Sequence, residues 1–425
     1  MFQVPSCFSH LDQARSETLS MLQDHPKGWS LPQAFYTDPL SFQVDLERVF
    51  YREWLFAAMA CELPKRGDYV TLNVGDNPIL LVRDGAGEIR CYHNVCRHRG
   101  SKLCVHERGK VANLTCPYHQ WTYNLEGQLL FTGNAMGDDF DPTEFELTPI
   151  HCRTSGGFVF ICLAPGAAPE MNGFLTDLEH YMSPYDMANT RVAAESTIIE
   201  EANWKLVIEN NRECYHCNGS HPQLLRTLLE WDDVNDPRAT PEFLADYERQ
   251  AQAWDAEQIP HRRVEHGLQQ RIVRMPLKSG TEVMTMDGKV ACQKLLGRVQ
   301  NRELGSMRIL HLPNSWHHMQ SDHLIVFRVL PLSAQQTAVT TKWLVRHDAV
   351  AGVDYDEQRL TEVWRHTNEQ DRELAEQNQR GIRSLSYQPG PYSPTHEFGV
   401  VNFIEWYRTA MLKEAPVQPN LRSVG

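Results

Sequence analysis

Two short stretches decide what the first third of this chain folds around: Cys96-Arg97-His98-Arg99-Gly100 and Cys116-Pro117-Tyr118-His119-Gln120-Trp121. Each carries one cysteine and one histidine, as Cys-x-His in the first and Cys-x-x-His in the second, with the seventeen residues 99–115 between the pairs. Two thiolates and two imidazoles in this order suit a [2Fe–2S] cluster in which both cysteines ligate one iron and both histidines the other. Gly100 and Pro117 are turn formers beside the ligands, so the pairs read as two equivalent loops, each giving one ligand to each iron. The same four residues could hold structural zinc. Zinc modules, however, set a cysteine pair before a histidine pair in a short closed segment, whereas here the two types alternate.

A second constellation lies between Asn203 and Pro222. Trp204, Val207, Ile208 and Asn211 fall at helical spacing behind Asn203, a good N-cap, and the helix opens into a loop marked by Gly219 and Pro222. His216 and His221 are five apart, so they converge only if the helix ends between them. Taken alone, such histidines are more often structural. Beside the iron–sulfur motif they become candidate ligands, and a carboxylate would complete the two-histidine, one-carboxylate facial triad of non-haem Fe(II) oxygenases. The carboxylate on offer is Asp371. From Asp356 to Arg380, the residues Leu360, Val363, Trp364, Thr367, Leu374, Ala375 and Asn378 trace one helical stripe, with Glu362, Arg365, Glu369, Arg372 and Glu373 largely off it. Asp371 falls on the inward stripe, where an ionised carboxylate is costly unless paired or bound to metal. A buried salt bridge is the competing explanation.

Charge and composition narrow the classes. The 425 residues carry a formal charge of −13, which argues against nucleic acid as a partner. The longest uncharged apolar run, 157–164, is strand-sized and far short of a membrane span. Met1 to Cys7 has no basic region leading into an apolar stretch, so no secretory signal is expected. Eleven cysteines in a chain of this size suggest no disulfide framework, and a reducing cytoplasm is the expected location. No phosphate-cradling glycine loop or nicotinamide fingerprint is present, so the reductant must come through another protein.

Asp38-Pro39 followed by Leu40, Val44, Phe50 and Trp54 predicts an amphipathic helix leading into the first domain. Residues 69–74, 78–83 and 89–92 then read as strands separated by glycine turns, and the antiparallel region continues through 121–123 to 158–163. The Ala- and Pro-rich stretch 164–169 is the natural boundary. Beyond it, 196–200, 306–310, 324–331 and 338–345 read as strands. Trp231 to His266 is a charge-rich insertion without a legible role.

On these motifs the chain resembles the large (oxygenase) subunits of Rieske non-haem iron oxygenases. The likeness runs from Ser30-Leu31-Pro32 through Tyr392-Ser393-Pro394 to Phe403–Trp406, and is most specific at 203–221 and at Gln370-Asp371 with Glu376, Asn378, Gln379 and Gly381. It implies an α+β chain in three parts: a helical segment 1–52 packing with the catalytic domain, an antiparallel β Rieske [2Fe–2S] domain 53–165, and a mononuclear iron catalytic domain 166–425 with a helix-covered antiparallel sheet. It implies Cys96, His98, Cys116 and His119 as cluster ligands, and His216, His221 and Asp371 as ligands of a mononuclear Fe(II).

Glu213 takes the place of the family's bridging acid between the two metal sites. Glu rather than Asp there is typical of the branch that acts on quaternary ammonium betaines. The expected reaction is therefore O2-dependent N-demethylation, glycine betaine giving dimethylglycine and formaldehyde. Another betaine (proline betaine, carnitine-like) and arene dihydroxylation are the alternatives. A Rieske electron-transfer protein would leave the about 260 residues after Ala164 without a use. The resemblance also implies a head-to-tail homotrimer and an NAD(P)H-dependent flavin/iron–sulfur reductase as partner. A quaternary ammonium has no hydrogen-bond donor and needs aromatic faces, for which Trp316 is the first candidate, with His318 beside it. His317, His318, His323 or Asn314 could address the substrate carboxylate.

Overall fold

In the computed structural model, which describes residues 6–231 and 234–413, the chain separates into residues 51–170 and a second unit made of the segments on either side. The leading segment holds α1 (Ser6–Gln23), α2 (Ala34–Thr37) and α3 (Pro39–Asp45). Asp38 caps α3 by accepting the Ser41 N–H at 2.8 Å, with Pro39 in the first turn, where a missing N–H loses nothing. The helix predicted to reach Trp54 instead widens into a π-helical turn at Leu46–Phe50 and stops. Trp54 belongs to the next unit, buried with its indole N–H on the Pro169 carbonyl at 2.8 Å.

Residues 51–170 are built from strands. β1 (Leu55–Met59), β2 (Asp68–Val74), β3 (Asn77–Arg83), β4 (Ile89–His93), β5 (Arg108–Lys110), β6 (Leu114–Thr115), β7 (Thr122–Tyr123), β8 (Leu129–Phe131), β9 (His151–Ser155) and β10 (Phe158–Cys162) make three antiparallel sheets. Their orders are β4-β3-β2-β5, β6-β7-β8 and β1-β10-β9. Leu80, Val82, Tyr92, Leu114, Tyr123 and Leu125 pack into one core with Cys96 and Cys116, so the cysteine loops rest on a rigid apolar base.

The second unit continues with α4 (Asn172–Met182), β11 (Thr190–Glu200), α5 (Trp204–Asn211), α6 (Cys217–Ser220), α7 (Pro241–Ala256), β12 (Val264–His266), β13 (Gln270–Met275), β14 (Ser306–His311), β15 (Ser315–Met319), β16 (Leu324–Ser333), β17 (Gln336–Arg346), α8 (Glu357–Ile382) and α9 (Phe398–Leu412). Its seven strands form one antiparallel sheet in the order β11-β17-β16-β15-β14-β13-β12. The register aligns Arg271, Leu310, Trp316 and Phe327 in one row across four strands, and Arg308 with His318 in the next. Because side chains alternate along a strand, both rows face the same side.

Two helices cover that side. Trp364 of α8 meets Phe327 at 4.8 Å, and Phe243 of α7 packs with Val273 and Met275. The insertion whose role was unreadable is thus a wall over β13, although residues 232–233 of it lie outside the described ones. The buried stripe of α8 runs through Leu360, Trp364, Thr367, Ala375 and Gln379. Asn378, predicted inward, is exposed, since at 3.6 residues per turn the stripe reaches position 379 instead. Gln379 accepts the Asn203 N–H at 2.8 Å and donates to the Tyr36 carbonyl at 3.2 Å, tying three segments together. Among the described residues no helix is long and apolar enough to cross a membrane.

Candidate active site

The two cysteine loops fold alike despite their different spacing. Cys96 N–H donates to the Ser101 carbonyl at 2.8 Å and Gly100 N–H returns to the Cys96 carbonyl at 3.0 Å; Cys116 N–H donates to Trp121 at 2.8 Å and Gln120 N–H returns to Cys116 at 3.1 Å. The fifth residue of each is left-handed, Gly100 at φ 79° and Gln120 at φ 63°. Cys96 and Cys116 are buried, whereas His98 and His119 stand further out with ring centroids 4.6 Å apart. His98 stacks on Trp121 at 4.8 Å, and the Arg99 guanidinium lies 5.2 Å over Tyr118, joining the loop tips. The donors therefore divide by depth into a sulfur pair and a nitrogen pair, which fits a cluster with one thiolate-held and one imidazole-held iron. Tyr123, not singled out from the sequence, places its hydroxyl 3.5 Å from Cys96 Sγ and accepts the Arg97 N–H at 3.1 Å.

The other three predicted ligands also come together. His216 Nε2 lies 3.0 Å from His221 Nε2, and Asp371 Oδ1 lies 2.9 Å from His221 Nε2 and 3.4 Å from His216 Nε2. Adjacent corners of an octahedron with metal–ligand bonds of about 2.1 Å are about 3.0 Å apart, so this triangle fits an iron with its remaining positions open. The histidines converge because α5 ends at Asn211 and α6 is a single turn, with His216 just before it and His221 just after. Asp371 comes from α8.

Behind the ligands stand hydrogen-bond acceptors. Glu213 Oε1 is 2.5 Å from His216 Nδ1, and Gln370 Oε1 is 2.9 Å from His221 Nδ1. Each acceptor keeps a proton on Nδ1 and leaves Nε2 for the metal corner. Gln370, whose role the sequence did not reveal, is itself fixed by Gln223 at 3.0 Å. Burial lowers the His216 pKa, but Asp371 and Glu213 outweigh it and push it up to about 9. Burial likewise raises Asp371, yet the two imidazoles hold it below the usual carboxylate range. The corner is electrostatically set for a cation.

The Cys217 sulfur also lies within 4.8 Å of the imidazole donors, but it is bonded to Cys214. The bond spans three residues and is no framework, and eight further cysteines, Cys96 and Cys116 among them, form no disulfide.

A cavity of about 110 Å³ opens from the corner. Trp316, stacked on Phe327 at 5.1 Å, and Trp364 line it, as do His317 and His318, the latter 4.8 Å from Trp364. Burial holds His317 well below the usual imidazole range. His323 bonds to Asp322 at 2.6 Å, and neither it nor Asn314 lines the cavity, which removes both as candidates for a substrate carboxylate. The sequence reading overlooked Arg271 and Arg308, each 7% exposed, and the Arg238–Asp236 pair at 2.8 Å, all in the lining.

Two family models match the chain: the Rieske [2Fe-2S] domain over residues 53–136, and the ring hydroxylating alpha subunit (catalytic domain) over 187–413. The glycine betaine monooxygenase oxygenase subunit of Pseudomonas aeruginosa strain PAO1 is 60% identical over 402 residues, 95% of this chain and 94% of that one. That of Chromohalobacter salexigens is 53% identical over 415 residues, 97% and 93% of the two chains. A solved quaternary ammonium Rieske monooxygenase, CntA with L-carnitine, has the same fold with a TM-score of 0.69 at 22% identity, covering 92% of this chain and 98% of that one.

Proposed function

Because the chain belongs to the ring-hydroxylating alpha-subunit family of Rieske non-haem iron oxygenases, we propose that it is the oxygenase component of a monooxygenase that N-demethylates glycine betaine. The observation that carries the substrate is the near-full-length likeness to glycine betaine monooxygenase oxygenase subunits. Cys96, His98, Cys116 and His119 would hold the cluster, and His216, His221 and Asp371 the mononuclear iron. Bound there, the two centres would supply electron transfer and dioxygen activation, enough to hydroxylate an N-methyl carbon.

The balance is one betaine, one O2, two electrons and two protons giving dimethylglycine, formaldehyde and water, since the hydroxymethyl ammonium product loses formaldehyde by breaking its C–N bond. Glu213 and Gln370 orient the two imidazoles by holding their Nδ1 protons. Trp316 and Trp364 offer faces to the methylated cation, with contacts of about 0.5–2 kcal/mol each. Thr367, one turn of α8 before Asp371, also lines the cavity.

The chain is an oxygenase subunit and draws its electrons from a separate reductase; we take this to be an NAD(P)H-dependent flavin/iron–sulfur protein. We further propose a cytoplasmic head-to-tail homotrimer in which Glu213 joins His216 of its own chain to His119 of the adjacent subunit. Purified oxygenase with a reduced partner, O2 and glycine betaine should release dimethylglycine and formaldehyde in equal amounts. Faster turnover of carnitine or proline betaine would replace the substrate, and arene dihydroxylation would overturn the branch.

A further inference from the structure

We propose that Gln223 is a positioning residue of the metal corner: it holds the Gln370 amide in the one orientation that leaves His221 Nε2 free to bind metal. This rests on the reading of His216, His221 and Asp371 as ligands of the mononuclear iron, and names what keeps one of them in its ligating form. His221 Nε2 faces the corner, 3.0 Å from His216 Nε2 and 2.9 Å from Asp371 Oδ1. A ring nitrogen that binds metal carries no proton, so the proton belongs on Nδ1 and the group behind it must accept. That group is the side-chain amide of Gln370, whose Oε1 lies 2.9 Å from His221 Nδ1.

An amide can meet that need or defeat it. Its oxygen accepts and its nitrogen donates, and a half-turn about the last side-chain bond exchanges the two. Turned round, Gln370 would present an N–H to His221 Nδ1, move the ring proton to Nε2 and block the metal position. The other imidazole does not face this hazard. Glu213 Oε1 stands 2.5 Å behind His216 Nδ1, and the second oxygen of the same carboxylate accepts the Tyr215 N–H. An ionised carboxylate accepts at either end, so of the two imidazoles His221 alone depends on a group with two unlike faces.

Gln223 takes the donor end. Its Oε1 accepts from Gln370 Nε2 at 3.0 Å, which keeps that nitrogen turned away from the ring. The backbone beneath Gln223 is firmly placed. Leu225 N–H donates to the His221 carbonyl at 3.1 Å and Leu228 N–H to the Leu224 carbonyl at 3.0 Å, while Leu224 and Leu228 are buried in one core with Trp364 of α8. The loop therefore gives a ligand, His221, and an acceptor, Gln223, while α8 gives a ligand, Asp371, and the amide, Gln370. The two segments are joined twice, once at the metal corner and once behind it. A residue at position 223 that can only accept fixes the hydrogen bonds in this direction, and one that can only donate reverses them.

The test follows loss of iron from the anaerobic holoenzyme to a chromogenic Fe(II) chelator, with the visible spectrum of the cluster recorded beside it. Gln223→Glu, which can only accept, should release the mononuclear iron no faster than wild type. Gln223→Lys, which can only donate, should release it about 10- to 100-fold faster, the usual cost of a wrong partner behind a ligating histidine. Adding Gln370→Glu to Gln223→Lys should restore slow release, since a carboxylate at 370 accepts from both sides. A lysine that merely repelled the ferrous ion would be screened by salt. The rates are therefore compared at low and high ionic strength, and the contrast should persist. Equal release from the Glu and Lys variants, or a contrast that salt removes, would overturn the role of Gln223. Asp371→Ala, run alongside, separates this role from the ligand assignment. It should lose its iron whatever Gln223 does, and iron held as firmly as in wild type would overturn the assignment and the positioning role with it.

Discussion

Asp371 shows how a single side chain acquires its role from its neighbours. It lies on the buried side of α8, 27% exposed, with its Oδ1 directed at two imidazole nitrogens within 3.4 Å. Without a metal that corner is a tightly knit ion pair; with one, it is a ligand set. Asp371→Ala should therefore leave the iron–sulfur signal intact while iron per chain falls from about three to about two, with two acid-labile sulfides retained, because the two ligand sets share no residue. Metal analysis together with paramagnetic resonance of the reduced protein reads both quantities. Full iron and full turnover in this variant would mean that another residue is the third ligand. The candidate ligands were legible because each motif is local in sequence or rides on one helix stripe. Gln370 and Tyr123 were not, since one glutamine or tyrosine among many carries no signal until its hydrogen bond is seen.

At the scale of elements, α5 positions the histidine loop and must itself be anchored. Its first turn is buried around one ion pair, Lys205 with Asp45 of α3, both side chains fully buried. Asp45 also accepts from the Trp204 indole at 3.0 Å and the Tyr407 hydroxyl of α9 at 2.6 Å. The leading segment, α5 and α9 thus meet at one carboxylate. Asp45→Ala strands the Lys205 ammonium in an apolar site and should destabilise the protein by about 3–5 kcal/mol. Asp45→Leu combined with Lys205→Met, which removes both charges, should regain a large part of that loss. Denaturant midpoints compare the three proteins, and a single variant within about 1 kcal/mol of wild type would refute the argument. Nothing in the sequence pairs residues 45 and 205. β13 was overlooked for a related reason: Gln270–Met275 is buried at every position yet contains two arginines, so it lacks the apolar alternation that marks a half-buried strand. Arg271 is intelligible only through the register that sets it in the row of Trp316, and Arg274, on the opposite face, through the Tyr185 hydroxyl to which it donates.

For the whole molecule, the cluster and the mononuclear site belong to different compact units of the chain, which makes the route between them a question of assembly. A head-to-tail trimer is a heterologous ring, each subunit using one surface as donor and another as acceptor. If electrons cross between subunits, a chain lacking the cluster and a chain lacking the mononuclear iron can repair one another. Cys96→Ser and Asp371→Ala should each be inactive alone. In trimers assembled at random from equal amounts of the two, half the chains keep the mononuclear site, and half of those face an intact cluster on the adjacent subunit. Such a mixture should recover about a quarter of wild-type formaldehyde release, and only when the chains are coexpressed or refolded together, not when preformed trimers are mixed and fail to exchange. Complete silence from a mixture shown by mass spectrometry to contain hybrid trimers would place the transfer within one chain and remove Glu213 from any path between subunits.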